Sequence, residues 1–438
     1  MAIEWETCKL GDLIEIKHGW PFKSELYSEI LTGKPIVMSI GNFDYEGGLR
    51  LDSTVLKEYR GEFPGAYSLD PGDLILVMTC QTPGGEILGV PGRIPSDSRT
   101  YLHNQRLGKV VIKDGKRVEL SFLYWLFLFP AFNRELVNSA TGTKILHTAP
   151  SRIEAFEFAL PSIEEQRRIA DTLWKLQDKI DLNEKMNETL EAMARALFKS
   201  WFVDFDPVRA KAKGLDAGLP ASIASLFPDS FEDSEIGDIP KGWRAGKLAD
   251  FASLNPQSWP RETRPESIQY VDLSNVKWGR IEQRTTYLSN EAPSRAQRVL
   301  KPGDTIVGTV RPGNGSYALI AEEGLTGSTG FAVLRPTVKS STEFVYLAAT
   351  SPESIDYLTH VADGGAYPAV HPEIVAAQIV ACPDHEILSA FSELMAPVMR
   401  LIAQHQQQCA SLSGVRDFLL PKLMSGKIRL SSNLPEAR

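Results

Sequence analysis

The same heptad seam occurs twice in this chain, and that duplication limits the folds open to it more than any other feature. The first seam runs Ile169, Leu173, Leu176, Ile180, Asn183, Asn187, Leu190, Ala194, Leu197 and Trp201, alternating steps of four and three. The second runs Phe391, Met395, Val398, Ile402, His405, Cys409, Leu412 and Leu419, each 222 residues beyond a member of the first. Such spacing lays an apolar stripe along one face of a helix, which another helix must cover. Two such helices in one chain most simply cover each other antiparallel. Pro161 and Pro383 stand just ahead of them, where proline suits a helix start, and Pro421 and Gly426 are expected to stop the second. Some forty residues at 1.5 Å each give a rod of roughly 60 Å. Both seams turn polar at mid-length, at Asn183 and Asn187 in one and His405 in the other. That reads either as partial solvent exposure or as a buried pair that fixes register.

The duplication extends beyond the helices. Trp5-Glu6-Thr7 leading to Leu10-Gly11-Asp12 matches Trp243-Arg244-Ala245 leading to Leu248-Ala249-Asp250, and Pro71-Gly72-Asp73 matches Pro302-Gly303-Asp304. Phe122-Leu123-Tyr124 with Pro130 matches Phe344-Val345-Tyr346 with Pro352, Gly142 matches Gly364, and Leu160-Pro161 matches Cys382-Pro383. Short β-branched runs (Leu74 to Met78 and Val110 to Ile112; Thr305 to Val310 and Phe331 to Leu334) alternate with turn signals, and the Phe122 and Phe344 segments read as short helices. The fold expected is α+β: two α+β domains separated by a pair of long antiparallel coiled-coil helices, with an internal pseudo-twofold repeat. The divisions are 1–160, first domain; 161–205, first spacer helix; 206–240, a Pro-, Gly- and acid-rich linker; 241–383, second domain; 384–426, second spacer helix; 427–438, tail.

Composition narrows the class. The 438 residues suit two or three domains, and 43% hydrophobic with 23% charged residues is the balance of a folded soluble protein. The longest apolar runs, as at Leu123 to Phe129, are too short to span a membrane, and the acidic, mixed start is unlike a signal peptide. Four scattered cysteines (Cys8, Cys80, Cys382, Cys409) read as reduced thiols of a cytoplasmic protein. A net charge of −8 argues mildly against nucleic acid, but it is unevenly spread. Residues 206–240 hold three basic and seven acidic groups, whereas residues 241–383 hold fourteen of each, nine of the basic ones being Arg. Local patches decide phosphate binding, so the total excludes little.

Motifs of catalysis are missing. There is no Asn/Asp-Pro-Pro-aromatic methyl-transfer motif, no Gly-rich fingerprint after a strand and no phosphate loop. Gly313-Asn314-Gly315 reads as a turn, Glu15-Ile16-Lys17 as an alternating strand, and the seven histidines lack metal-ligand spacing. We therefore expect a non-catalytic chain with no metal and no cofactor of its own.

The layout of domain, helix, domain, helix resembles the specificity subunits of type I restriction–modification systems over nearly the whole chain. The resemblance is carried by the segments that join helix and domain. These are Pro161-Ser162-Ile163-Glu164-Glu165-Gln166-Arg167-Arg168-Ile169-Ala170, and Leu197-Phe198-Lys199-Ser200-Trp201-Phe202-Val203-Asp204-Phe205-Asp206-Pro207-Val208. They are joined by Leu226-Phe227-Pro228-Asp229-Ser230-Phe231 with Ile239-Pro240-Lys241-Gly242-Trp243, and by Leu420-Pro421-Lys422-Leu423-Met424-Ser425-Gly426. The second copy departs by carrying Asp384-His385-Glu386-Ile387-Leu388 where the first has its Glu-Gln-Arg-Arg entry. The resemblance implies that each α+β domain is a target-recognition domain for one half of a bipartite, asymmetric site on double-stranded DNA. It implies that the helices act as a ruler and dock two modification subunits, which carry S-adenosylmethionine and methylate adenine N6, and that a restriction subunit joins to cleave. The alternatives are a stand-alone bilobal DNA-binding protein and a coiled-coil scaffold that binds protein only.

Arg suits guanine, Asn and Gln suit adenine, and small hydroxyls suit phosphate. In the first domain the candidate DNA-binding residues are Trp20, Lys23 and Ser24 in a turn-rich loop that resembles a family loop. Asn104, Gln105 and Arg106 before a strand, and Thr143 and Lys144 before the helix entry, complete the set. In the second they are Arg311, Asn314 and Ser316, then Ser328 and Thr329, then Tyr367. Arg261, Arg264, Arg280 and Arg284 belong to an Arg run that continues through Arg295 and Arg298.

Overall fold

Proline at 161 and 383 is followed in each case by a helix of 40 residues, Ile163–Phe202 and His385–Met424, and the two begin and end 222 residues apart. The computed structural model describes residues 5–260, 263–365 and 367–430. The described chain divides into two compact units. The first is built from the chain up to Ile180 and from Ala410 onward, and the second from Asp181–Cys409. Each long helix therefore contributes to both.

In the first unit, Ile14–His18, Leu107–Ile112, Leu74–Val77 and Pro91–Arg93 form an antiparallel sheet in that spatial order. A second sheet runs Tyr27–Ser28, Glu58–Tyr59, Ile36–Met38, Tyr101–His103, Ser68–Leu69, with Ile36–Met38 and Tyr101–His103 parallel. The second unit repeats both. Ala252–Leu254, Phe331–Pro336, Thr305–Gly308 and Tyr317–Leu319 reproduce the first sheet in the same order. Thr285–Leu288, Ser267–Val271, Leu325–Ser328 and Ala296–Val299 reproduce the second, again with a parallel central pair and without the outermost strand. The helices Leu120–Phe127, Pro130–Ser139 and Pro150–Glu154 recur 222 residues on as Thr342–Ala349, Pro352–Val361 and Pro372–Ala376. In each unit one strand closes the fold just before the long helix: Glu157–Leu160 pairs Glu6–Lys9, and Ile379–Cys382 pairs Arg244–Lys247. The strand runs are as the sequence indicated to within a few residues. Residues 206–240 are partly structured, with a helix at Asp206–Ala212 and a short strand pair, Phe231–Glu232 with Ile239–Pro240.

The helix ends follow local chemistry. Ser162 and Glu165 form a reciprocal cap: the Ser162 hydroxyl accepts from the Glu165 N–H (3.3 Å) and the Glu165 carboxylate from the Ser162 N–H (3.4 Å). The fully buried Gln166 accepts from the Glu119 N–H and donates to the Arg117 and Pro161 carbonyls, so the helix entry is stitched to its domain. Pro421 does not stop the second helix, which runs on to Met424; Gly426, with φ +68°, lies just past its end. A proline in the last turn removes one N–H but leaves the preceding turns bonded.

The mid-seam polar residues are buried. Asn187 is 1% exposed and His405 8%, and the His405 Nδ1–H donates to Asn187 Oδ1 at 2.9 Å. The Asn187 amide donates in turn to the Ile402 carbonyl at 3.2 Å, and that of Asn183 to Gln408 at 2.8 Å. In the first unit Arg416, on the seam 222 residues beyond Ala194, is buried and donates to Gln177 at 2.5 Å. Along these pairs numbers rise on one helix as they fall on the other, so the helices are antiparallel. Aromatic rings close the second unit's seam, Phe198, Trp201 and Phe202 all meeting Phe391. Asn187→Leu leaves His405 buried without its partner and should lower unfolding free energy by about 1–3 kcal/mol. Pairing it with His405→Leu should recover most of that loss in a denaturant melt while loosening the register. Equal stability of the single and double variants would contradict this.

Candidate nucleic-acid interface

Met78, the residue after the strand Leu74–Val77, bonds the segment at Arg106 and the one that follows Lys144. Its N–H donates to the Arg106 carbonyl (2.9 Å), and its carbonyl accepts from the Thr148 N–H (3.0 Å). The loop at Trp20 joins the same turn, since the Trp20 N–H donates to the His103 carbonyl (2.8 Å) and the Gln105 N–H to the Trp20 carbonyl (3.0 Å). Gly19 permits that approach: a Cβ there would stand 2.2 Å from the Asn104 carbonyl oxygen. The second unit is stitched alike. The Thr309 N–H donates to the Gly330 carbonyl (2.8 Å) and its carbonyl accepts from the Val370 N–H (2.9 Å). The matched glycines are explained too, because Gly142 and Gly364 both take positive φ, at +105° and +120°.

The individual side chains divide into tips and supports. Lys23, Ser24, Gln105, Arg106, Thr143 and Lys144 are exposed. Trp20 packs half-buried against Tyr67, and Asn104 is nearly buried, donating to the Tyr27 hydroxyl (3.2 Å) and accepting from the Arg106 N–H (3.0 Å). These two shape the loop. In the second unit Arg311, Asn314 and Tyr367 are exposed, and Thr329 is half-buried. Ser316 and Ser328 are corrections to the sequence expectation. Ser316 donates to the Leu273 carbonyl (3.1 Å), and Ser328, 0% exposed, accepts from the Gly330 N–H, so both hydroxyls brace the loops from inside.

The arginine run does not gather at these loops. Arg280 pairs with Glu184 on the first long helix (2.9 Å), Arg284 with Glu322, and Arg295 with Asp272 (2.7 Å). Arg264 is half-buried, and Arg261 lies outside the described residues. Sequence reasoning passed over Gln81–Glu86, which follows Thr79–Cys80 and is held there by the pairing of Thr79–Cys80 with Leu146–His147. Its Pro-Gly-Gly turn, opposite Arg-Pro-Gly-Asn-Gly in the second copy, was the available signal. Among the described residues no group of His, Cys, Asp and Glu could hold a metal ion, and no helix is long and apolar enough to cross a membrane.

His103 closes the strand that delivers Asn104, Gln105 and Arg106. Its Nε2–H donates to the Leu107 carbonyl at 2.8 Å, and burial pushes the imidazole down to about 4. The unfolded chain takes up this proton near pH 6.5 and the folded unit does not, so stability falls as pH drops from 6.5 toward 4, by roughly 3 kcal/mol in all. His103→Gln keeps a donor and should flatten that part of the pH–stability curve; an unchanged slope would count against the assignment.

Two copies of one α+β unit, each presenting loops tied to one junction residue and each packed on paired long helices, define a tandem-repeat protein. Residues 2–192 match the family model described as type I restriction modification DNA specificity domain. The chain is 26% identical to the type I restriction enzyme HindI specificity subunit of Haemophilus influenzae, over 67% of this chain and 73% of the relative. It is 24% identical to the MjaIX specificity subunit of Methanocaldococcus jannaschii, over 75% and 73%. The crystal structure of a type I restriction–modification S subunit from M. genitalium shares the fold, with a TM-score of 0.59 and 14% identity over 97% of this chain and 96% of that one. By these comparisons the chain is similar to the specificity subunits of type I restriction–modification systems.

Proposed function

We propose that the chain reads a bipartite, asymmetric sequence in double-stranded DNA, each unit taking one half. The observation that carries this is the identical stitching of loops to Met78 in one unit and Thr309 in the other. Two readers of common design but different tips serve a site whose halves differ. In the first unit Lys23, Ser24, Gln105, Arg106, Thr143 and Lys144 are the contacting side chains, supported by Trp20 and Asn104. In the second they are Arg311, Asn314, Thr329 and Tyr367, supported by Ser316 and Ser328. Arg264 stays a candidate for DNA contact, as does Arg261, which lies outside the described residues, while Arg280 and Arg284 hold local carboxylates.

The remaining roles concern partners. The paired helices set the gap between half-sites and dock two modification subunits, which carry S-adenosylmethionine and transfer methyl to adenine N6. A restriction subunit joins for cleavage. The domain divisions read from the sequence mark the exchangeable parts, and the work is done in the cytoplasm. Replacing residues 1–160 by the first domain of another family member should change one half of the methylated motif and leave the other half untouched. Mapping methylated adenines with the hybrid complex checks this, and a motif altered in both halves, or in neither, would overturn the proposal.

A further inference from the structure

We propose that the second unit carries a docking site for one segment of a partner protein, a segment that bears an aromatic side chain beside a Lys or Arg. A cavity of about 590 Å³ opens where the end of the first long helix, the linker and the strand Ile379–Cys382 meet. Phe198, Phe202 and Phe344 line it. Val203, Ile236, Tyr357 and Ile379 line it too and are exposed, so its apolar surface continues out to solvent. The volume is that of a built binding site, and apolar side chains gathered on a surface mark a place where something docks.

The first unit shows what chemistry fits there. Ser354 and Gln378 stand 222 residues beyond Phe132 and Phe156. The positions are equivalent in space as well, since the Leu10 N–H donates to the Phe156 carbonyl (2.9 Å) as the Leu248 N–H does to that of Gln378 (3.0 Å). The side chains meet in both units. Phe132 and Phe156 pack edge to face at 5.1 Å, both buried, whereas the Ser354 hydroxyl donates to Gln378 Oε1 at 2.5 Å. Two phenyl rings in one unit are thus replaced in the other by a polar pair that leaves room for an aromatic group from outside. The site exists in one unit only, so it takes one segment per chain.

Polar groups narrow the occupant further. The Gln378 Nε2 is buried and has no hydrogen-bond partner among the described residues. A leftover buried donor suits the carbonyl of an incoming peptide. Glu353 lines the cavity, and the exposed Glu235 and Asp238 stand on either side of Ile236 in the chain. Lys199 and Arg244, on adjoining elements, are taken up by Asp204 and Asp250. The carboxylates favour a cation on the occupant and repel a phosphate backbone, so the partner is protein and not DNA.

The identity of the partner rests on the reading of the chain as a specificity subunit, and the test uses its full complex with modification and restriction subunits. With the photo-crosslinker p-benzoylphenylalanine in place of Tyr357, irradiation should join this chain to one segment of one of those subunits. Mass spectrometry should find an aromatic residue and a Lys or Arg in that segment. Ser354→Phe with Gln378→Phe puts the first unit's rings into the second and should cut the crosslink yield about tenfold. Should that variant fail to assemble, Glu353→Lys, a surface change, decides in its place and should cut the yield about threefold. An unchanged yield in the deciding variant, a crosslink to DNA or only to copies of this chain, or no crosslink at all overturns the proposal. Failure of the broader reading looks different, since the complex would then not form.

Discussion

The antiparallel pairing of two 40-residue helices is the constraint on which the rest of the chain depends. An apolar stripe of that length has no stable place in water, so the two helices need each other, and their cover must be in register over many turns. An all-apolar seam would tolerate slippage by a heptad. The buried Asn187–His405 and Asn183–Gln408 pairs in the second unit, and Arg416 with Gln177 in the first, penalise such slips because each donor or acceptor would lose its partner in a dry place. Gln166 then fixes the domain to the helix entry through its hydrogen bonds with Glu119 and Arg117.

From that base each unit presents its loops through the same backbone logic. One residue after a central strand bonds two neighbouring segments, so loops far apart in sequence share one support. The support is backbone, which leaves the tip side chains open to change without loss of the scaffold. The result is two units of common architecture and different tip chemistry, the first ending in Gln105, Arg106 and Lys144, the second in Arg311, Asn314 and Tyr367, and the proposed reading of two half-sites rests on that difference.

The long helices, the repeat and its α+β character were legible because periodicity and turn residues are local signals. The same holds for the helix starts at Pro161 and Pro383 and for the matched glycines at 142 and 364. What stayed hidden depends on partners distant in sequence. Ser316 and Ser328 have the composition of loop-tip hydroxyls, yet their acceptor and donor lie inside the fold. The run of arginines looked like one basic patch until Glu184, Glu322 and Asp272 took up three of its members. Arg416 was passed over because a charged residue breaks an apolar seam on paper, although Gln177 accepts from it in the structure. Pro421 misled because a proline need not end a helix that its neighbours hold in place, and the same helix also carries Pro397 in its interior.

The central claim is that one chain reads two separated DNA half-sites through two copies of a single design. Single-molecule mapping of methylated adenines, in cells that carry the modification subunit with and without this chain, tests it most directly. The account requires a two-part motif with a fixed unread gap that vanishes when the chain is absent. A continuous motif, or the same motif without the chain, would contradict it.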